Sequence, residues 1–173
     1  MKALLVIDML NDFVLPGAPL EVAQNREILP VLRDRIKAAR AAHVPVIYVC
    51  DAHAADDPEF SKMGWPPHAV AGTRGAEIVA ELAPTSGERI VTKKTYSSFF
   101  ETELEQVLRD LRVDELVVTG CVSNICIMSA VADAALRGYR VRVPVDSVAS
   151  IDAADGEFAF RQMATVYGAI VER

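Results

Sequence analysis

Short apolar runs alternate along the chain with amphipathic segments. The runs are rich in valine and isoleucine and mostly apolar on both faces, as in parallel strands covered by helices. The predicted strands are Ala3–Ile7, Val46–Val49, Arg89–Thr92, Glu115–Thr119, Val141–Val145 and Ala169–Val171. Helical spacing of apolar residues marks the segments between them, at Arg26–Ala42, Gly75–Leu82, Thr102–Leu111, Asn124–Arg137 and Gly156–Val166.

Polar and small residues predict where some of these helices begin and end. Asn25, and Ser123 or Asn124, are candidate N-caps because their side chains can accept hydrogen bonds from free helix N–H groups. Gly138 is expected to follow the end of its helix. Pro30 falls near the first turn of the first helix and leaves its exact start open.

The alternation of strands and helices predicts a doubly wound α/β fold with right-handed crossovers. We expect one domain over residues 1–173, with a mostly parallel six-stranded sheet and helices on both faces. The segment Asp51–Thr73 lacks periodicity and contains three prolines, which indicates a long loop. Loops of this length are uncommon in compact domains and are often functional.

Composition narrows the classes of partner. The chain has 173 residues, 51% of them hydrophobic, and a net charge of −6, which argues against nucleic acid or an anionic membrane as main partner. No apolar run approaches the ~20 residues that span a bilayer. Ala3–Ile7 is too short for a signal peptide, and the three cysteines are an odd number. We therefore expect reduced thiols and a cytoplasmic location.

Polar residues follow four of the predicted strands. Asp8 follows the first, Asp51 the second, Lys93 the third, and the turn Gly120–Cys126 the fourth. Ligands of open α/β sheets bind beyond the carboxyl ends of the strands. The sequence therefore predicts that these groups share one rim of the sheet, as a nucleophile with charged helpers would.

Cys126 is the candidate nucleophile at this rim. It lies just inside a predicted helix start, where free N–H groups and the helix dipole favour a thiolate and could hold an oxyanion. A buried core cysteine is the competing interpretation, and Asp8 with Lys93 could equally be a buried ion pair. Cys50 and Cys121 are interpreted as core residues.

A second cluster of polar residues lies in the long loop. Asp51 and His53 face the same way if the chain is extended, and the two prolines before His68 hold it in a rigid segment. With Glu59 as a further carboxylate, this set suits a divalent metal such as Zn²⁺. Two histidines fifteen residues apart are weak evidence by themselves, so packing without a metal stays open.

Several stretches, in the same order, resemble the isochorismatase-like cysteine hydrolase superfamily. They are Val6–Phe13, Lys93–Phe99, Gly120–Cys126, Ala132–Tyr139 and Asp146–Ser150, which together cover nearly the whole chain.

The resemblance implies a catalytic triad of Asp8, Lys93 and Cys126, with Lys93 preferred to Lys94 because the family lysine stands three residues before a Tyr-Ser pair. It also implies a cis peptide between Cys121 and Val122 and oxyanion donors at the N–H groups of Val122 and Cys126. Isochorismate itself is not the expected substrate, since true isochorismatases lack the cysteine.

The long loop resembles that of the nicotinamidase branch, in Asp51–His53 and in Trp65–His68 followed by Gly72–Gly75. That resemblance implies hydrolysis of nicotinamide to nicotinate and ammonia through a cysteine thioester. It also implies Zn²⁺, or Fe or Mn, held by Asp51, His53 and His68, with Glu59 as a possible fourth ligand. Phe13, Trp65 and Tyr96 could wall the substrate pocket, although ordinary packing would explain them equally well.

Some residues depart from the family pattern beside the site. Leu10 stands where many members have glutamine, Ala69 where some have cysteine, and Ser123-Asn124 where Thr-Asp is usual. These departures put substrate fit in doubt, not chemistry. The alternatives are an amidase acting on a carbamoyl or ureido compound, a thiol redox or sensor protein, and a silent binding module. The expected partner is a small-molecule amide, and the chain could form a homo-oligomer.

Overall fold

Every neighbouring pair of strands is parallel in the computed structural model of the chain, which describes residues 1–173. The strands are β1 (Lys2–Ile7), β2 (Val46–Asp51), β3 (Arg89–Lys93), β4 (Glu115–Gly120), β5 (Arg140–Pro144) and β6 (Ile170–Glu172). They form one sheet in the order β3-β2-β1-β4-β5-β6. The prediction of a doubly wound α/β fold is confirmed, and all six strands were predicted nearly in place.

Alternate residues of each central strand enter two different cores. In β1, the side chains of Ala3, Leu5 and Ile7 join a cluster of 24 buried residues on one face of the sheet. Leu4 and Val6 join a cluster of 18 buried residues on the other face. Because both faces are covered, the strand must be apolar throughout, and this is why the apolar run predicted it.

Helices cover both faces as predicted. They are α1 (Asn11–Val14), α2 (Gln24–Ala41), α3 (Pro58–Met63), α4 (Leu104–Asp110), α5 (Met128–Leu136) and α6 (Ala153–Thr165). Helix α2 contributes buried side chains to the cluster of 18 residues, whereas α4, α5 and α6 contribute theirs to the cluster of 24. Pro30 lies inside α2. No helix combines the length and apolar character needed to cross a membrane.

The predicted helix Gly75–Leu82 is wrong. The segment forms two short 3₁₀ turns, Arg74–Ala76 and Ala80–Leu82, separated by extended residues. Its fully buried side chains, Val79 and Leu82, pack in the same cluster as α2. Two buried residues three positions apart have the spacing of one face of a helix, but they can be buried without a continuous helix between them.

Two of the three predicted helix ends are also wrong. Asn25 lies within the first turn of α2, and its buried side-chain amide donates to the backbone of α1. Neither Ser123 nor Asn124 caps its helix; both lie inside a π-helical turn, Ser123–Ile127, that runs into α5. Gly138 is confirmed, with a left-handed φ of +84° just after the C-cap of α5.

The segment predicted as a long loop, Asp51–Thr73, is more ordered than its sequence indicates. It contains helix α3, which Asp57 caps and Pro58 begins. Its two ends also pair, since the N–H of His53 donates to Ala69 O at 3.0 Å and the N–H of Ala71 donates to His53 O at 2.9 Å. The segment is thereby folded back on itself beside the ends of β1 and β2.

Candidate active site

Three charged side chains meet where β1, β2 and β3 end. These strands are neighbours in the sheet, so Asp8, Asp51 and Lys93 arrive at one rim. The Lys93 ammonium lies 2.8 Å from Asp8 Oδ2 and 2.5 Å from Asp51 Oδ1. The backbone N–H of Asp51 donates to Asp8 Oδ1 at 2.9 Å. All three side chains are buried, and Lys94, the residue not chosen, is exposed.

Cys126 reaches the same cluster from β4. It lies in the π-helical turn after that strand, with Sγ 3.5 Å from Lys93 Nζ. One carboxylate oxygen of Asp8, one of Asp51 and the sulfur of Cys126 all lie within 4.8 Å of one another. The structure thus brings together the three residues that sequence reasoning placed in a triad.

The turn before Cys126 has the backbone form that the resemblance implied. The Cys121–Val122 peptide is cis. The N–H of Val122 donates to no backbone or side-chain acceptor of the protein, as an oxyanion donor requires. Cys50 and Cys121 are buried free cysteines, and Cys121 also contributes to the wall of the adjacent cavity.

Burial and charge set the protonation of this cluster. Burial and the nearby Asp51 raise the pKa of Asp8 to about 6, against the opposing influence of Lys93. Burial alone would lower the pKa of Lys93, but Asp8, Cys126 and Asp51 together raise it well above its usual value. Asp8 is therefore mainly a carboxylate at neutral pH, and Lys93 stays an ammonium.

Burial works against the thiolate that the helix start was expected to favour at Cys126. Burial raises the pKa of Cys126 well above its usual value; Lys93 acts to lower it, and the carboxylates of Asp8 and Asp51 act to raise it further. Free N–H groups at the helix start favour a thiolate, but the fold also places two carboxylates beside the sulfur, which the local sequence does not reveal. The raised pKa favours the protonated thiol at neutral pH, and a carboxylate oxygen of Asp8 lies within 4.8 Å of the sulfur.

A second group of side chains has the composition of a metal site. One ligand atom each from Asp51, His53 and His68 lies within 4.8 Å of the others, and all three residues are buried. His53 Nδ1 contacts Asp57 Oδ2 at 3.1 Å, and His68 Nδ1 contacts Pro66 O at 2.9 Å. Each Nδ1 is thus held by an acceptor, which leaves Nε2 free to bind a cation. This donor set fits Zn²⁺.

Glu59 stands apart from this trio. Its Oε2 lies 4.0 Å from Nδ1 of His53, which is the ring nitrogen already engaged by Asp57. Asp57 is the residue of this region that sequence reasoning missed. The carboxylate of Asp51 raises the pKa of His53 to about 9 despite burial, with smaller contributions from Asp57 and Glu59.

A cavity of about 300 Å³ lies between two members of the triad and the trio of possible metal ligands. Cys126 and Asp8 line one part of it, and Asp51, His53 and His68 line another. The three aromatic residues predicted as pocket walls, Phe13, Trp65 and Tyr96, all line it as well. The rings of Phe13 and Trp65 lie 5.6 and 5.9 Å from that of His68, and those of Trp65 and Tyr96 lie 6.2 Å apart. The cavity is thus walled by aromatic faces on the side of the trio.

Comparison with known proteins finds one family. The isochorismatase domain matches residues 2–173 of this chain. Among curated proteins, the nicotinamidase/pyrazinamidase of Mycobacterium tuberculosis is 31% identical over 179 residues, covering 95% of each chain.

Solved structures agree with this result. The N-carbamoylsarcosine amidase of Thermoplasma acidophilum superposes with a TM-score of 0.88 and 35% identity, over 99% of this chain and 95% of that one. The pyrazinamidase of Pyrococcus horikoshii, solved in complex with zinc, gives a TM-score of 0.92 and 28% identity, over 99% and 98%. The fold is therefore shared with amidases that act on different small molecules.

Proposed function

The chain belongs to the isochorismatase family of hydrolases, and from this premise we propose that it is a nicotinamidase, which converts nicotinamide and water to nicotinate and ammonia. The observation that carries the proposal is that one cavity joins the Cys126 thiol, a metal-type trio and aromatic walls. Nicotinamide has a reactive carboxamide, a pyridine nitrogen and a flat aromatic ring, so each part of the substrate has a counterpart in the cavity.

The residues that would hold the metal are Asp51, His53 and His68. Zn²⁺ suits two imidazoles and a carboxylate best, and Fe or Mn could take the same set. When bound, the ion would supply a Lewis-acidic site for the pyridine nitrogen and so orient the ring. The aromatic side chains of Phe13, Trp65 and Tyr96 would then restrict the ring to one plane.

The first half of the reaction acylates the cysteine. Asp8 takes the proton of Cys126, and the sulfur forms a bond to the amide carbon. Oδ2 of Asp8 has no hydrogen-bond donor directed at it, although Lys93 lies beside it, so this oxygen can receive the proton. The Lys93 ammonium, 3.5 Å from the sulfur, stabilises the negative charge that develops there.

Collapse of the tetrahedral adduct completes the acylation. The N–H groups of Val122 and Cys126 would hold the oxyanion, and each such donor is typically worth about 3 kcal/mol. Asp8 returns its proton to the departing nitrogen, ammonia leaves and a thioester remains. In the second half, Asp8 accepts a proton from water, the hydroxide oxygen bonds to the thioester carbon, and the carbon–sulfur bond breaks. Nicotinate leaves, and Cys126 regains its proton.

The charge of the cavity favours an uncharged substrate. Asp8, Glu21, Asp51 and Glu59 line it, and no arginine or lysine does. The Lys93 ammonium is enclosed by its own contacts with Asp8, Asp51 and Thr95 O. N-carbamoylsarcosine carries a carboxylate, and no arginine or lysine of the cavity wall is there to pair with it. Nicotinamide brings no such charge.

A second candidate is an amidase for another small amide, of the carbamoyl or ureido kind. The Thermoplasma N-carbamoylsarcosine amidase supports it, because at 35% identity it shares more of this sequence than the zinc-bound pyrazinamidase does. The two candidates differ in their need for the trio. Chelation would abolish turnover of nicotinamide, whereas hydrolysis of a carbamoyl compound by the triad alone would survive it.

The testing experiment is ammonia release from nicotinamide, measured after chelator treatment and again after Zn²⁺ is restored. Cys126→Ala is the catalytic blank, and Cys50→Ala is its matched control because Cys50 is also a buried free cysteine but does not line the cavity. We expect metal-dependent release that is lost in Cys126→Ala and retained in Cys50→Ala. No release by folded, zinc-loaded wild type would refute the nicotinamidase proposal, and N-carbamoyl amino acids would be assayed next.

Three free, buried cysteines suit a reducing compartment, which supports our placing the enzyme in the cytoplasm. There the nicotinate released would be available for pyridine nucleotide biosynthesis, as part of NAD salvage.

A further inference from the structure

We infer that Asp57 is a positioning residue for the metal site, one that fixes the proton of His53 on Nδ1 and ties this histidine to the start of helix α3. The inference deepens the proposed function, because it rests on a metal being held by Asp51, His53 and His68. Its content is separate from the identity of the substrate, since it concerns how the site is made ready for the ion.

The two carboxylate oxygens of Asp57 have different partners. Oδ2 lies 3.1 Å from Nδ1 of His53, and Oδ1 accepts the N–H of Glu59 at 2.9 Å. The contact with His53 is sheltered, since the His53 side chain is 2% exposed and the Asp57 side chain 17%. A carboxylate can only accept at Nδ1, so this nitrogen keeps its proton when a cation takes the place of the proton on Nε2, which faces Asp51 Oδ2 at 3.9 Å.

Helix α3 makes this contact more than a local hydrogen bond. Asp57 is its N-cap, and Phe60 in its first turn packs against both histidines, with ring centroids 5.3 Å from His53 and 5.1 Å from His68. One side chain therefore sets the tautomer of His53 and the placement of the ring that buttresses the pair. Carboxylates that orient ligating histidines in this way typically change metal affinity 10–100-fold when they are removed.

His68 shows why Asp57 can be tested cleanly. Its Nδ1 is held by the backbone carbonyl of Pro66 at 2.9 Å, so no side-chain substitution alters its acceptor. Any change in metal affinity on substitution of Asp57 therefore reports on His53 and on α3, while the second histidine stays fixed. The residue next to Asp57 gives a matched control, because Asp56 is exposed and makes no side-chain hydrogen bond or ion pair.

Two variants of Asp57 separate its two contacts. In Asp57→Asn, the remaining oxygen can still cap α3, but an N–H₂ group now faces Nδ1 and drives the His53 proton onto Nε2, where the metal must bind. In Asp57→Ser, the hydroxyl caps α3 and does not reach the imidazole. Asp56→Asn makes the same change of charge one residue away. The full-length protein is used throughout.

The measurement is Zn²⁺ affinity by competition with a chromophoric chelator, which needs no substrate. We expect affinity to fall about 10–100-fold in Asp57→Asn and about tenfold in Asp57→Ser, and to stay within about twofold of wild type in Asp56→Asn. Thermal unfolding of the metal-free proteins is expected to be nearly unchanged, because both substitutions retain a cap. A purely structural role of Asp57 would instead move thermal unfolding and metal affinity together.

A spectroscopic readout tests the tautomer directly. The chain has three histidines, so two-bond ¹H–¹⁵N spectra of the zinc-loaded protein resolve which nitrogen of each ring carries a proton. We expect a proton on Nδ1 of His53. The inference would be overturned if folded Asp57→Asn bound Zn²⁺ as tightly as wild type, or if the metal were bound to Nδ1 of His53. It would also be overturned if the chain bound two zinc ions or if wild type bound no metal. Zinc binding with the expected ranking but no turnover of nicotinamide would refute the nicotinamidase proposal and leave this inference standing.

Discussion

Replacing Gly120 with alanine is expected to destabilise the fold far more than the same replacement at Gly138. Gly120 is the last residue of β4 and pairs with Ile7 of β1, just before the turn that carries Cys126. Both glycines have left-handed φ angles, +112° and +84°. They differ in surroundings. A Cβ on Gly120 would lie 2.0 Å from Ile7 O, whereas a Cβ on Gly138 would meet nothing within 4 Å.

The structure gives the size of each effect. Backbone strain alone costs about 1–2 kcal/mol for alanine in a left-handed conformation, and this applies to both sites. At Gly120 the clash adds about 1–3 kcal/mol for forcing two packed strands apart. The backbone bond from Cys121 N–H to Ile7 O, 3.0 Å long, would be lost as well, for about 1 kcal/mol. The expected losses are therefore about 3–6 kcal/mol at Gly120 and about 1–2 kcal/mol at Gly138.

Urea denaturation at 25 °C, followed by far-ultraviolet circular dichroism, measures both free energies of unfolding. A typical domain has about 5–15 kcal/mol in all, so Gly120→Ala could lose much of its stability, whereas Gly138→Ala should unfold close to wild type. If the two variants differ by less than about 1 kcal/mol at equal m-values, the close approach of β4 to β1 does not require glycine and the reasoning fails.

Three further predictions concern the site and its support. Lys93→Met should reduce amide turnover about 10³-fold or more and destabilise the fold, because two buried carboxylates lose their cation. The control Lys94→Met should alter neither turnover nor stability in urea. Burial acts to raise the pKa of Glu88, but its ion pair with Arg40 lowers that pKa on balance. Glu88→Gln should therefore reduce the free energy of unfolding by about 1 kcal/mol at pH 7. That difference should begin to shrink as pH falls below about 4.5 and disappear once pH has fallen through the lowered pKa of folded Glu88, and a constant difference between pH 7 and pH 3 would contradict it. Trp65→Ala should raise KM for nicotinamide about tenfold and leave kcat nearly unchanged, and Trp65→Phe should restore most of the binding.

The central strands β1 and β2 could be predicted because burial on both faces requires a continuous apolar run. Helix α2 was predicted to within two residues of its observed bounds for a similar reason, since Ile28, Leu32 and Ile36 mark its buried face. The segment at 75–82 failed because two buried anchors satisfy a helical spacing as easily as a helix does. Helix α3 was missed, although Asp57 followed by Pro58 is a recognisable helix start that could have found it.

The shared rim could be predicted because the carboxyl ends of parallel strands meet at one edge of a sheet, whereas the triad was implied by the resemblance of the motifs. Three neighbouring strands deliver Asp8, Asp51 and Lys93 to one rim, and their mutual distances follow from strand spacing. The protonation of Cys126 could not be predicted in this way, because it depends on the sum of burial and three charges. The position of Glu59 could not be predicted either, since it depends on the orientation of a helix that the sequence analysis did not contain.

This division explains why the chemistry of the chain is easier to infer than its substrate. Asp8, Lys93 and Cys126, the proposed base, cation and nucleophile, lie at or just beyond the ends of β1, β3 and β4, whose buried side chains belong to the two cores. The trio and the ring of Trp65 depend on the folded-back segment, which is held by backbone pairs between His53 and residues 69 and 71 and by the cap at Asp57. We therefore expect this segment to contribute to the choice of amide, together with Phe13 and Tyr96, which line the cavity from outside it. Substitutions at Asp57 should accordingly change metal binding and substrate selection before they change the reactivity of Cys126 toward a small thiol reagent.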